Sequence, residues 1–459
     1  MLKYTRLIFA DGFFSWVPAI VTVTLVTVLL GVSANQFAWT HDEVFISAVV
    51  AGGHDVTEFT IVSETIYLLV APLAFLSLTA VGSATVNRVR VTFAQWRLAG
   101  ASPRQVRRSM WMLVAMASGV GAFTGSVLAI PASYALIPVF NRMAVADFAA
   151  PEFRPSFTAW LLSFGLSFVT CWLGAFIPAI RASRIGPVET FREPGRRRPV
   201  MSWRVVLAAI SMLISLGLVT ASAFVTMFGA GVGGLFNLVL DAGMMALVAT
   251  YLLGPLLAQW LLRLFSRTAK AFGLTTAAVA CRAAGERAGT STSTIPPLAA
   301  GIGGAGVLVV STEMSVHVVR AAGYQGEVNL TDTLVMLAVI SAVCLITSAA
   351  VVALAGRDIE REQSMLRVAG MTPRTIVGWY AWQAVALSAA AVVIALIPVL
   401  VTVATAAMGT SALLGYALIV VPWPVIVIGF AASSIVLFSV MYMPVIKPLS
   451  QSVAEGLRE

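Results

Sequence analysis

The sequence predicts an all-α polytopic membrane protein of about ten transmembrane helices, arranged as two four-helix repeats with a further pair of helices between them. Three observations lead there. The chain of 459 residues is 59% hydrophobic and 11% charged, with a mean hydropathy of +0.93, too apolar for a soluble fold. Its cations collect in alternate gaps between apolar segments, and one cluster of residues occurs twice.

The elements follow from the thickness of a bilayer. A hydrocarbon core of about 30 Å needs roughly 20 apolar residues per helix. Segments of that kind centre on 15–34, 63–84, 110–137, 158–180, 204–226, 238–262, 295–311, 332–354, 380–405 and 421–443. The first reads as an uncleaved anchor rather than a signal peptide, because its apolar run is long enough to cross a bilayer. The other eight spans fall four on each side of the pair 204–226 and 238–262.

Charge gives an independent count. With the N-terminus inside, 26 of the 29 Lys and Arg fall in the inner segments 1–14, 85–109, 181–204, 263–294, 355–379 and 444–459, leaving only Arg142, Arg154 and Arg320 outside. Of the 20 acids, 11 lie outside. Retention of cations on the cytoplasmic side produces this segregation, so both termini are expected in the cytoplasm of a bacterial cell membrane. The same distribution explains the pI near 9.9 without nucleic acid, because the cations are spread over six short segments beside lipid-spanning helices. Arg196 to Arg198 reads as a topology anchor.

The duplicated cluster is Leu98-Ala-Gly-Ala-Ser-Pro-Arg104, which returns as Val368-Ala-Gly-Met-Thr-Pro-Arg374, with Arg97 answered by Arg367 and Val106 by Ile376. In each copy the glycine suits a helix C-cap. Ser102 or Thr372 suits the N-cap of the next helix, with Pro103 or Pro373 at its first position. A short helix, a tight turn and a new helix are therefore expected twice, as rigid cytoplasmic knobs. The exits of the repeats also match, Pro178-Ala-Ile-Arg181 with Pro444-Val-Ile-Lys447 and Glu189 to Glu193 with Glu455 to Glu459, but at an offset four residues shorter. These landmarks divide the chain into a first repeat, 1–195, a linking segment with the extra helix pair, 196–269, and a second repeat, 270–459. An even number of inserted spans lets the repeats keep one orientation, as parallel repeats about an axis along the membrane normal.

The doubled Ala-Gly-x-Ser/Thr-Pro-Arg segments, the four-span repeat and the exit from Pro178 to Glu189 resemble the FtsX-like, MacB-type permeases of ABC transporters. The resemblance covers both repeats. It implies that each segment after a repeat's second span is a coupling element seated in a separate cytoplasmic ATPase, with Arg97, Gly100, Ser102, Pro103 and Arg104, and Arg367, Gly370, Thr372, Pro373 and Arg374, as contacts. Two such elements imply two ATPase subunits per chain, with ATP and magnesium on that partner and no cofactor on this chain. The layout is most similar to the bacitracin-resistance type of antimicrobial-peptide permease. It departs in having only Thr312 to Thr331 where that type carries a large outer domain.

Other classes fit poorly. No Gly-x-x-x-x-Gly-Lys-Ser/Thr loop occurs, so the chain is not expected to be an ATPase or any other enzyme. Cys171, Cys281 and Cys344 offer no metal-ligand spacing. His41, His54, Asp42, Glu43 and Asp55 read as a solvated outer loop, and the outer loops 35–62 and 312–331 are too short for an independent domain. None of the ten span centres holds an ionisable residue, with Asp241 and Glu64 near outer ends and Arg357 and Asp358 near an inner end; this disfavours ion-coupled carriers and charged-ring channels. Small residues mark close helix contacts, Gly121 and Gly125 in the third span and Gly301, Gly303, Gly304 and Gly306 in the seventh, the latter dense enough to suggest a pivot.

The expected function is therefore the transmembrane permease of an ATP-driven complex that exports or extracts an amphipathic or lipophilic molecule: an antimicrobial peptide, lipid or drug entering from the membrane. One rival is a subunit that transports nothing and transmits ATP-driven motion to an outer partner protein, a cell-wall hydrolase or sensor kinase. A second is an unpowered scramblase or structural membrane protein.

Overall fold

The computed structural model describes residues 13–53, 56–144, 151–184, 202–224, 232–286, 291–323, 331–354, 365–368 and 370–450. These residues form helices and turns, with no strand among them. The chain divides into two compact units, Met1–Glu193 and Pro194–Glu459. The repeat exits at 185–193 and 451–459, the run Arg196 to Arg198, His54, Asp55, Arg357 and Asp358 lie outside the described residues.

Among the described residues, eight helices are long and apolar enough to cross a membrane: Trp16–Thr40, Pro103–Val139, Phe157–Ile180, Arg204–Ser222, Gly234–Ala271, Thr294–Ala321, Pro373–Leu414 and Trp423–Met443. Shorter apolar helices, Val70–Val86 and Val339–Leu354, fall where the second and eighth of ten spans are expected. The protein is a multi-pass, all-α membrane protein.

In the first unit, α1 (Phe13–Thr40) packs most extensively on α4 (Pro103–Ala144), while α3 (Val56–Leu98) and α5 (Phe157–Arg184) complete the bundle. The α1–α4 seam is close because three glycines present no side chain. A Cβ on Gly31 would meet Ala129 Cβ at 2.5 Å, one on Gly121 would meet Ile20 O at 2.9 Å, and one on Gly125 would meet Thr24 O at 2.6 Å. Hydroxyl and amide groups then bond across the same seam. Thr24 donates to Gly121 O at 3.2 Å, Asn35 Nδ2 to Ser133 Oγ at 3.0 Å, and Gln36 Nε2 to Asn141 Oδ1 at 3.1 Å. Close backbones and interhelical hydrogen bonds hold helices together where lipid removes the hydrophobic drive.

The described part of 35–62 is mostly helical rather than the loop expected from sequence, while His41, Asp42 and Glu43 are exposed as expected. Helix α1 continues to Thr40, α2 (Glu43–Ala51) follows at once, and α3 begins at Val56. Trp39, Phe45, Val49, Phe59, Ile137 and Phe153 form a buried cluster at this end, with the Phe45 and Phe59 rings edge-on at 5.3 Å. Asp42, read as a loop acid, is the N-cap of α2 and accepts from the Val44 N–H at 2.9 Å. The aromatic residues are too irregularly spaced to announce one element, because they come from four. The outer segment 312–331 is shortened in the same way, since its helix runs on to Ala321.

In the second unit, α6 (Ser202–Ser222) packs chiefly on α7 (Val232–Ala271), which is itself built into the unit against α9 (Ser291–Ala321) and α11 (Pro373–Leu414). The short α8 (Thr275–Glu286) folds against α7 and α11, and α10 (Thr331–Leu354) and α12 (Trp423–Ser450) flank α9. The apolar stretch of α9 is almost wholly buried. Its glycines are contact points: a Cβ on Gly301 would meet Cys344 Cβ at 2.5 Å, one on Gly303 would meet Pro398 Cγ at 3.0 Å, and one on Gly306 would meet Val399 Cγ2 at 2.6 Å. Gly304 is buried beside them.

The helix bounds of the two units follow the repeat. Helices α4 and α11 each have 42 residues and start and end 270 positions apart, whereas α5 and α12 each have 28 and are 266 apart. The four-residue shortening therefore lies in the connection between them, 145–156 in one unit and 415–422 in the other.

Candidate functional site

The two duplicated segments make the same turn. In the first, the Gly100 N–H donates to Arg97 O at 3.1 Å and the Ala101 N–H to Trp96 O at 2.9 Å; in the second, Gly370 donates to Arg367 O at 2.9 Å and Met371 to Leu366 O at 3.1 Å. These paired bonds are a Schellman motif, which satisfies the last carbonyls of a helix and needs a left-handed residue at C′. Gly100 (φ +94°) and Gly370 (φ +87°) take that place.

The next helix starts two residues later in both. Ser102 Oγ accepts from the Gln105 N–H at 3.3 Å, and Gln105 Oε1 accepts from the Ser102 N–H at 2.9 Å. This is a reciprocal capping box. Thr372 caps α11 by accepting from the Thr375 N–H at 3.4 Å, and the hydroxyls of Thr372 and Thr375 bond at 2.8 Å. Pro103 and Pro373 occupy the first helical position, where a missing N–H costs nothing. Gln105 was not singled out from sequence, although Ser-x-x-Gln ahead of an apolar run is a readable signal.

Burial matches as well. Val106 and Ile376 are buried at the base of each turn, while Ser102, Pro103 and Arg104, and Thr372, Pro373 and Arg374, are exposed. An apolar residue joins each exposed rim, Leu98 at 58% and Val368 at 65%. The outcome is two small protrusions, each with one aliphatic side chain, a proline and an arginine, on a backbone fixed at both helix ends.

Arg97 is not part of that rim. It is half-buried and donates through Nη1 to Ser183 O at 3.2 Å, near the C-terminal end of α5, where a cation is favoured by the helix dipole. It braces the turn against α5. Arg367 has the same partial burial. The short separate helix expected before each turn is absent in the first unit, where α3 runs unbroken from Val56 to Leu98. At 1.5 Å per residue this rod and α4 are each about 60 Å long, twice a hydrocarbon core.

Cys171, Cys281 and Cys344 are buried free thiols, and no group of three metal-ligating side chains occurs among the described residues. Burial in α8 pushes the Cys281 thiol up from its ordinary range, which makes it a poor nucleophile. At the opposite end of the first unit, His41 Nε2 lies 3.9 Å from Glu64 Oε1.

Residues 64–187 match the family model described as FtsX-like permease C-terminal. The match lies wholly within the first unit. The matched residues run from Glu64 in α3 through the Gly100 turn, α4 and α5. Together with the membrane-spanning helices, this match supports an ABC-transporter-type permease or related subunit. FtsX-like permeases normally partner with a cytoplasmic ABC ATPase. No curated protein matches the chain.

Proposed function

We propose that the chain is the transmembrane permease of an ATP-driven complex, and that its two turns are the seats of a separate cytoplasmic ATPase, two copies per chain. The supporting observation is that one construction is built twice: Schellman turn, N-cap, buried aliphatic base and exposed Leu98–Arg104 or Val368–Arg374 rim. A connection serving only to reverse the chain has no need of the same fixed backbone and rim chemistry in both units. Nucleotide and magnesium belong to the partner, and this chain contributes no catalytic residue.

In this reading both termini and both turns face the cytoplasm. Closure of the ATPase pair displaces the rims, and the rods α3 and α4 carry the displacement through the bilayer. Arg97 couples the turn to α5, so the long helices α1, α3, α4 and α5 of the unit move together. Each step biases a choice between two packed arrangements of helices, and the glycine contacts of α9 are where the second unit re-packs. The substrate is an amphipathic or lipophilic molecule taken from the membrane, such as an antimicrobial peptide, lipid or drug, consistent with uncharged span centres.

Arg104→Glu with Arg374→Glu tests the seats. Co-purification with the partner ATPase is expected to be lost in the double variant and reduced to one copy in each single variant. Full retention of the ATPase in the double variant overturns the proposal.

A second reading has one observation in its favour. The α2 cap exposes Val44 and Val50, the latter at 62%, over the packed aromatic cluster. This suits contact with an outer partner protein and transmission of force without transport. Val44→Glu with Val50→Glu removes that contact if it exists and spares substrate-stimulated ATPase activity in a transporter.

A further inference from the structure

We propose that the exposed face of α7 beyond its apolar span, with the turn into α8, binds the headgroups of anionic phospholipids in the adjoining leaflet. Leu256, Trp260, Arg263, Arg267 and Lys270 recur at intervals of four, three, four and three along α7, which puts them on one helix face. All five are exposed. The opposite face is buried, with Ala258, Leu261 and Leu262 packed among Ile295, Leu298, Ile376 and Tyr380. The stripe is therefore fixed in orientation and points away from the unit's core.

Its order along the helix is that of a membrane boundary. An apolar residue comes first, then Trp260 at 61% exposure, the residue type that settles at the headgroup level. Arg263 and Arg267 follow about 5 and 10 Å further along the axis and Lys270 about 15 Å, spanning the headgroup zone within the reach of their stems. Beyond them Gly273 (φ +75°) reverses the chain: its N–H donates to Lys270 O at 3.1 Å, and the Leu274 N–H to Ala269 O at 2.9 Å. Helix α8 then folds back and buries Ala277, Ala280, Cys281 and Ala284, leaving Phe272 at 82% and Leu274 and Val279 exposed beside the cations.

Charge complementarity selects the lipid. Three cations share this face, and among the described residues no carboxylate forms an ion pair with Arg263, Arg267 or Lys270. Aromatic and aliphatic neighbours suit acyl chains and glycerol rather than water. Each cation near an anionic surface is worth about fivefold in binding, so three give roughly 100-fold preference for an anionic over a zwitterionic lipid.

The test uses the full-length protein in phosphatidylcholine vesicles containing either brominated phosphatidylglycerol or brominated phosphatidylcholine. The signal is the Trp260 fluorescence, taken as wild type minus W260F. Brominated phosphatidylglycerol is expected to half-quench this signal at a mole fraction at least tenfold lower than brominated phosphatidylcholine. In R263Q/R267Q/K270Q the two lipids should become equal, and R267Q alone, which guards against misfolding of the triple variant, should lose about fivefold. The Arg107→Gln and Arg108→Gln pair in the first unit should leave the Trp260 signal unchanged. Equal quenching by both lipids in the wild type, or an undiminished preference in the triple variant, overturns the proposal. So does a triple variant that keeps its lipid preference but releases a co-purifying ATPase, since the face would then be a protein interface.

Discussion

Replacing Gly100 by alanine should loosen the first turn without disturbing anything around it. A Cβ at this position would meet no atom within 4 Å, yet φ is +94°, so the penalty is confined to the backbone. A left-handed conformation costs an L-residue about 1–2 kcal/mol, and 1.4 kcal/mol is tenfold in a population. The open form of the turn should therefore become about 5- to 30-fold more populated. Two amides report it, those of Gly100 and Ala101, whose bonds to Arg97 O and Trp96 O close the motif. Hydrogen exchange followed by mass spectrometry over a peptide covering 98–106 should show Ala101 accelerated by that factor, because local opening governs its exchange. Asparagine at position 100 should recover much of the protection, since it tolerates the left-handed region. The global unfolding temperature should hardly move, as the turn is exposed. Affinity for an ATPase should respond less than exchange does while the closed turn remains the majority species. Unchanged exchange in G100A, or asparagine no better than alanine, would refute the reasoning, and G370A offers the same experiment in the second unit.

Other consequences can be checked in the same preparations. Gly125→Ala should force α1 away from α4, because its Cβ would sit 2.6 Å from Thr24 O; a cost of about 1–3 kcal/mol should lower the unfolding temperature in detergent, whereas Gly165→Ala, where a Cβ meets nothing within 4 Å, should not. Ser102→Ala should cost about 1 kcal/mol at the start of α4, seen as faster exchange of the Gln105 amide, and Gln105→Ala added to it should cost little more, as the two bonds form one box. Cys281 should resist maleimide in the folded protein and react on denaturation. Its raised pKa means the unfolded chain loses the proton first, so this group subtracts stability as pH climbs past the ordinary thiol range and has no effect below it. A melting series from pH 7 to 10 on wild type and Cys281→Ala should show that difference only at the alkaline end.

Much of the turn was legible because it is local chemistry. Gly100 or Gly370 followed two residues later by Ser102 or Thr372 and then proline encodes a stop and a start within four residues, and no distant group is needed to read it. Arg97 shows where such reading ends. It carries the same sign as Arg104 and lies seven residues away, yet one guanidinium reaches Ser183 O while the other stays exposed. That difference depends on where α5 ends in space.

By itself the sequence determined that this chain is helical, crosses a membrane several times, and contains one pattern twice, since hydropathy, charge segregation and repetition are properties of linear order. The tertiary structure alone decided which faces meet: that α7 is built into the second unit, that the stretch after Thr40 folds into an aromatic cap, and that the α1–α4 seam is tied by Asn35, Gln36 and Thr24. Apolar residues surround most of these helices, so composition has no periodicity with which to choose a contact face in lipid, and the choice falls to shape and hydrogen bonding between segments far apart in the chain.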